Sequence, residues 1–366
     1  MKNFKNSSSN SASERLDKAQ EESPFAQKKQ PPQPPIHIQD IKLPETKNRA
    51  YVRNGGAYYL GDCSSVLQSK AFKKLHGKVQ LIITSPPYPL NEKKSYGNLT
   101  GETYLKWIES LAPIFSDMLT DDGSIVIELG NSWEPGRPVQ SLLALEALLA
   151  FTKSQSADLR LIQQFVCYNP SRLPSPAQWV TVNPIRTVDS FTHVWWLSKS
   201  DWPKADNSKV LRPYSDSMKK LLKKGTYNSG ARPSEHRISE TGFLKDRGGS
   251  IPHNLFELEP MEENRQTRLP NAFSFSNTAS NDVFHRECQK RNIIPHPARM
   301  PIGLASFFIE YLTDAGDLIL DPFGGSNTTG FAASLSERRW IAIDMQERYI
   351  EQSKLRFLDP RLKKPK

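Results

Sequence analysis

Cysteine is scarce in this chain of 366 residues: Cys63, Cys167 and Cys288 stand far apart and form no CxxC pair. That excludes a disulfide framework and a thiolate metal site, and it fits a reducing, cytoplasmic setting. No apolar run approaches the ~20 residues needed to span a bilayer, and the N-terminus lacks the apolar core of a signal peptide. The expectation is an intracellular protein with no membrane partner and no metal. Acid is also in deficit, with 39 Asp and Glu against 49 Lys and Arg and a formal net charge of +10. A folded protein with such a surplus favours a polyanionic partner, and nucleic acid is the usual one. There is no internal repeat.

Residues 1–48 are rich in Ser, Asn, Gln, Lys and Pro and include Pro31-Pro32-Gln33-Pro34-Pro35. Such a segment cannot bury enough apolar surface to offset its ordering entropy, so a disordered arm is expected. From residue 49 to 198 strands and helices alternate. Ala57–Leu60 reads as a strand ending at Gly61-Asp62, Ser64–Leu75 as a helix, and Val79–Ser85 as a buried strand. A polar loop over 89–101 has the length of a lid or substrate contact. Thr103 is placed to cap a helix reaching Leu119, with Leu105, Ile108, Leu111, Phe115 and Met118 on one stripe. Asp121-Asp122-Gly123 would stop it, before the strand Ser124–Leu129. A helix over Val139–Lys153 and strands at Leu161–Tyr168 and Phe191–Ser198 complete this part. Residues 199–291 are basic and weakly periodic, a functional insertion rather than a linker. Pattern returns over 292–366: a helix opened by Pro301, a strand Asp317–Leu320, a helix Thr328–Leu335, a strand Trp340–Asp344 and a last helix over Gln346–Phe357.

Two stretches carry chemistry. In the first, Leu81-Ile82-Ile83-Thr84 runs into Ser85-Pro86-Pro87-Tyr88, where no ladder hydrogen bond can continue. A hydroxyl, two carbonyls and a ring are thereby held at the carboxyl end of a strand, the edge where open α/β sheets bind ligands. Alone, this is equally an ordinary Pro-Pro turn. In the second, a strand enters Asp321-Pro322-Phe323-Gly324-Gly325-Ser326-Asn327-Thr328-Thr329-Gly330, then a helix, then a strand ending in Asp344. Strand, Gly-rich turn, helix and strand with a terminal acid make half of a nucleotide-binding unit, and Asp344 lies about twenty residues beyond the glycines. The loop is not G-x-G-x-x-G, and Phe331 follows Gly330 where a P-loop would carry lysine. Dinucleotide redox chemistry and phosphoryl transfer are disfavoured. An adenosine-containing ligand without a polyphosphate remains.

Thr84-Ser85-Pro86-Pro87-Tyr88 together with Asp321–Gly330 resembles the S-adenosylmethionine-dependent DNA amino-methyltransferases. The order, with Ser-Pro-Pro-Tyr first, a basic region next and the Phe-Gly-Gly loop last, is similar to the β class of that family. Asn169–Pro176, Val194–Lys199 and His296–Pro301 also resemble its N4-cytosine members. The resemblance implies a three-layer, Rossmann-like α/β methyltransferase fold. Its sheet would be mixed, mostly parallel, seven-stranded and circularly permuted, with a DNA-recognition insertion at 199–291. It implies a site-specific enzyme that moves a methyl group from S-adenosylmethionine to the exocyclic N4 of a flipped cytosine in double-stranded DNA. It also implies a restriction–modification setting, with a cognate endonuclease acting on the same site without a stable complex. Adenine N6 methylation uses the same geometry and is the competing activity; a DNA-binding protein that keeps the fold without turnover is the competing class. Carbon methylation would need a cysteine after a proline, and here Asp62, Val166 and Glu287 precede the three cysteines.

An exocyclic amino group is a poor nucleophile because its lone pair is delocalised into the ring. The Ser85 hydroxyl and Pro86 carbonyl can accept its N–H bonds, with Pro87 stiffening the turn and Tyr88 offering a stacking face. The resemblance places Phe323, Gly324, Gly325, Ser326, Asn327 and Thr328, after Asp321, around the methionine part of the cofactor. It places Asp344 on the ribose and Asp62 with Cys63 beside the adenine. His296 would close the pocket, and Arg299 would stand where adenine-specific relatives carry lysine. Glu128, an acid near a strand end, is a weaker candidate for the released proton and more often such a residue is structural. Arg232, Arg237 and Arg247 are the candidates for DNA contact, gripping phosphates or reading bases, so binding should weaken steeply with salt.

Overall fold

The computed structural model describes residues 41–89, 99–234, 236–259, 272–276 and 282–363. Most of the arm and of the 89–101 loop therefore lie outside the described residues. The chain divides into two units, Met1–Lys42 and Leu43–Lys366, and the second carries every strand and helix of the described residues.

Among the described residues, ten strands form one sheet. In chain order they are β1 (Arg49–Arg53), β2 (Gly56–Leu60), β3 (Val79–Thr84), β4 (Leu119–Gly130), β5 (Arg160–Tyr168) and β6 (Phe191–Ser198). A separate two-residue pair follows, β7 (Gly230–Ala231) and β8 (Arg237–Ile238), and then β9 (Leu255–Glu259), β10 (Phe273–Ser276), β11 (Leu318–Asp321) and β12 (Arg339–Asp344) return to the main sheet. Its order is β1-β2-β12-β11-β3-β4-β6-β5-β9-β10. From β2 to β4 all neighbours are parallel; β6 runs antiparallel to both β4 and β5, and β1 pairs antiparallel with β2. Central strands are buried on both sides, which is why Leu81–Ile83 reads as an apolar run and every residue of Val79–Thr84 is buried.

The expected seven strands are thus corrected to ten. One extra strand is β1, a hairpin partner of β2. The others come from inside the presumed insertion: β9 pairs with β5, and β10 pairs with β9. These strands are short and embedded in polar sequence, so their period is weak. Besides their ladders, aromatic packing on helix α6 (Ile302–Leu312) holds them: Phe256 and Phe273 each lie 4.9 Å from Phe307, and Phe256 lies 5.7 Å from Phe308. Such ring pairs contribute about 0.5–1.5 kcal/mol each beyond burial.

The remaining α-helices among the described residues are α1 (Cys63–Leu67), α2 (Gly101–Met118), α3 (Leu143–Thr152), α4 (Asp216–Lys224), α5 (Val283–Lys290), α7 (Thr328–Leu335) and α8 (Glu347–Ser353). The stripe expected on α2 is buried at Ile108, Leu111, Phe115 and Met118. Its start differs: the N-cap is Thr100, not Thr103, and makes no side-chain cap bond. Asp121-Asp122-Gly123 does not end a helix but lies inside β4, where the ladder with β3 jumps from Val79↔Leu119 to Leu81↔Ser124. That irregularity absorbs the polar residues at the strand's exposed start. The helix expected over Ser64–Leu75 is split into α1 and a 3₁₀ turn, Phe72–Leu75, and α8 likewise passes into a 3₁₀ turn, Lys354–Leu358.

Candidate active site

Strand order explains how residues far apart in sequence meet. β2, β12, β11, β3 and β4 are consecutive and parallel, so their carboxyl ends share one edge. Asp62, Asp344, Asp321, Ser85 and Glu128 stand at those ends in that order. β6 enters the same edge antiparallel, bringing Thr192, and β5 leaves it at Cys167 and Asn169. A cavity of about 750 Å³ opens there, lined by residues at the ends of these strands or in the turns beyond them.

Ser85, Pro86, Pro87 and Tyr88 all line it, as do Asp62, Cys63, Asp321, Phe323, Gly324, Gly325, Ser326, Thr328, Asp344, His296 and Arg299. Asn327 is not part of the lining. It is fully buried in a left-handed conformation (φ 57°), its Oδ1 accepting from the Gly330 N–H at 3.0 Å and its Nδ2 donating to the Tyr51 hydroxyl at 3.0 Å. Arg232, Arg237 and Arg247 lie outside the cavity; Arg237 and Arg247 are exposed, and Arg232 donates to the Asn228 carbonyl at 2.6 Å.

The two motifs are tied to each other directly. Thr84, immediately before Ser85, donates its hydroxyl to Asp321 Oδ1 at 2.8 Å. The same oxygen accepts the Phe323 N–H at 3.1 Å, while Oδ2 accepts from Thr329 at 2.7 Å. Burial lifts the Asp321 carboxyl to about 6 against the pull of those three donors. Its first task is therefore to lock the glycine loop to β3. The loop is held from the other side by Tyr58, which donates to the Gly325 carbonyl at 2.9 Å, and by Arg356, which donates to the Ser326 carbonyl at 2.6 Å and its hydroxyl at 2.9 Å. A side chain at Gly324 would put Cβ 2.7 Å from the Tyr58 hydroxyl and 2.9 Å from the Ala342 methyl. Only glycine lets this backbone lie flat on β2 and β12 and keep the cavity floor open.

Asp344 accepts the Gly325 N–H at 3.0 Å and the Gln346 N–H at 2.8 Å, which aims its carboxyl at the loop; burial pushes that carboxyl up. Asp62 caps α1 through the Ser65 N–H at 2.9 Å, and Cys63 is buried beside it with its thiol pushed up to about 12. On the far wall His296 sits 4.1 Å from the Tyr349 ring, and burial holds it down to about 4, hence neutral at pH 7. The Arg299 guanidinium lies 5.6 Å from the Phe284 ring.

At the other end of the cavity the Ser85 hydroxyl faces the Tyr88 hydroxyl at 3.5 Å. Tyr88 lies flat against Gly130 at the end of β4, where an added Cβ would fall 2.6 Å from the ring. Burial and the nearby Glu128 raise the Tyr88 phenol, so it stays protonated. Glu128 is buried, accepts from Thr192 at 3.1 Å and lines the cavity; burial lifts it to about 7, partly opposed by Thr192 and Arg172. An acid placed only as a weak candidate from sequence thus lines the cavity. Asn169, Arg172 and Thr192 also line the cavity. Sequence reasoning passed over Arg172 and Thr192 as site residues; the signal was their position at the exit of β5 and the entry of β6.

The sequence profile of the DNA methylase family, which spans N6 and N4 amino-methylases, matches residues 79–355. The type II methyltransferase M.PvuII of Proteus hauseri is 39% identical over 322 residues, covering 87% of this chain and 89% of its own. M.Cfr9I of Citrobacter freundii is 24% identical over 307 residues, covering 81% and 86%. A solved structure of the PvuII DNA methyltransferase (cytosine-N4-specific) superposes with a TM-score of 0.64 at 34% identity, covering 86% of this chain and 90% of that one. The profile runs from the strand bearing Ser-Pro-Pro-Tyr through the glycine loop to the last helix, the same span that builds the cavity. With that agreement of sequence and site, the chain belongs to the N6/N4 DNA methylase family.

Proposed function

We propose that the protein is a site-specific methyltransferase that places a methyl group from S-adenosylmethionine on N4 of a cytosine flipped out of double-stranded DNA. The observation that carries this reading is the joining of the Ser-Pro-Pro-Tyr turn and the glycine loop in one cavity, through adjacent parallel strands and the Thr84–Asp321 bond. The cytosine-N4 specificity of the PvuII relative supports the choice of base.

The cavity's volume falls within the roughly 300–1,000 Å³ of small-molecule sites, and its two ends suit two ligands. Asp344 offers remaining lone pairs to a ribose diol, with Asp62 and Cys63 beside the adenine. Phe323 to Thr328 enclose the methionine part, Asn327 shaping the loop from behind, and His296 and Arg299 close the far wall, Arg299 toward the carboxylate. When bound, the cofactor supplies an electrophilic methyl group on a sulfonium. At the other end the Ser85 hydroxyl and Pro86 carbonyl accept the amino N–H bonds, which draws the nitrogen's lone pair out of conjugation. Tyr88, braced by Gly130, gives the base a face. Glu128, ionised above about pH 7, takes the proton that the amine must release. A base inside a duplex cannot reach this depth, which is why it is flipped.

Arg232, Arg237 and Arg247 contact the DNA around the site. The enzyme acts in the cytoplasm and protects DNA from a cognate restriction endonuclease. The test is sequencing of DNA from cells that express the protein, by a method that separates N4-methylcytosine from N6-methyladenine. N4-methylcytosine at one recurring sequence supports the reading; N6-methyladenine overturns the base assignment, and unmodified DNA overturns the activity.

A further inference from the structure

Leu173 is 79% exposed, more than all but one of the large exposed hydrophobic side chains among the described residues. Its place is specific. It follows directly on Arg172, which lines the cavity near Tyr88 and Glu128, so it stands at the rim of that end. The segment that carries it is stiff. The Asn169 N–H donates to the Ser190 carbonyl at 2.7 Å, and the Asn169 side chain accepts the Ser171 N–H at 3.0 Å. Arg172 then reaches across to the Phe191 carbonyl at 2.9 Å, tying the turn to the start of β6. Pro174 follows and restricts the backbone of Leu173 to extended conformations. Val182 and Ile185, 66% and 65% exposed, lie further along the same loop from any lining residue.

An apolar side chain on a fixed turn at the mouth of a pocket that takes a flipped base has a clear use. Removing a base from the stack leaves a void between its neighbours, and proteins that distort DNA fill such gaps with leucine, isoleucine, methionine or proline wedges. We propose that Leu173 is a positioning residue that enters the duplex and occupies the space the target cytosine leaves. This role rests on the reading that the cytosine is flipped. It explains why a leucine is held in water on a fixed turn: its partner is the pair of base steps that open only when the cavity fills. The partner is DNA rather than a second protein because the residue shares its rim with the pocket for the base.

The test uses the full-length enzyme and a duplex bearing the site found by methylation sequencing, with the target cytosine either paired to guanine or opposite a mismatched adenine. Unpairing is already partly done in the mismatched duplex, so wild type should bind it more tightly than the paired one. Leu173→Ala should lose about tenfold in methylation on the paired duplex and less than about twofold on the mismatched one, since the loss reflects one leucine's burial. Leu173→Met should keep wild-type rates on both, and Leu173→Gln, similar in length but polar, should repeat the alanine pattern should that variant fold poorly. A wild type that does not distinguish the duplexes overturns flipping and the wedge with it. A wild type that does distinguish them, with Leu173→Ala losing equally on both or on neither, leaves flipping standing and overturns the wedge.

Discussion

Replacing Glu128 by glutamine keeps the side chain's size and the bond from Thr192 and removes its charge. Burial lifts the carboxyl from its ordinary 4.5 to about 7. Between those values the folded protein holds a proton that the unfolded chain has released. The stability contributed by the protonated group is complete below pH 4.5 and is lost as pH rises through 7. With a pKa unit worth ~1.4 kcal/mol, ionised Glu128 costs the fold about 3 kcal/mol at pH 8. Glu128→Gln should therefore match wild type in urea denaturation at low pH and exceed it by about 2–3 kcal/mol at pH 8. Its methylation rate should fall by roughly 10²-fold or more, the usual loss of a proton acceptor. The wild-type rate should rise with pH through about 7, and the variant's residual rate should not. A stability difference that stays constant from low pH to pH 8 would refute the burial argument. A gain in stability with activity intact would instead refute the proton-transfer role alone.

Ser85→Ala should reduce methylation by about 10²-fold, the loss typical of one positioned group, while equilibrium dialysis shows S-adenosylmethionine bound as before; unchanged turnover would remove Ser85 from the mechanism. Asp321→Asn replaces an acceptor for three donors, Thr84, Thr329 and the Phe323 N–H, with a group that can meet only some of them. Thermal unfolding should show a loss of about 1–3 kcal/mol, and cofactor affinity should weaken with it. Gly130→Ala sets a methyl carbon 2.6 Å from the Tyr88 ring. Displacing that ring should lower activity more than cofactor binding, at a stability loss of about 1–3 kcal/mol. Equal effects on both would mean the ring does not serve the base end of the cavity.

Much of the fold was legible because local pattern and tertiary demand agree. Phe191–Ser198 and Thr328–Leu335 have the bounds their periodicity suggests. β9 and β10 did not announce themselves, since four or five residues in a polar stretch carry too little period, and only the phenylalanines of α6 decide that they pair. The Asp121-Asp122-Gly123 stretch misled for a related reason: turn-forming residues were accommodated at a strand's exposed start by an irregular ladder.

By itself the sequence determined the chemistry available: a serine hydroxyl and proline carbonyls after a buried strand, a glycine loop with a ribose-compatible acid twenty residues on, and no cysteine placed for covalent attack. Those are local facts, carried by adjacent residues and backbone geometry. Tertiary structure alone decided their relation. β3 and β11 are neighbours only in the sheet, and their pairing turns two distant motifs into two ends of one cavity. It also decided which of many carboxyls line that cavity. In sequence Glu128 is only an acid near a strand end, whereas burial, against the pull of Thr192 and Arg172, lifts its carboxyl to about 7. Desolvation depends on what surrounds a group from every strand, and no stretch of sequence contains that.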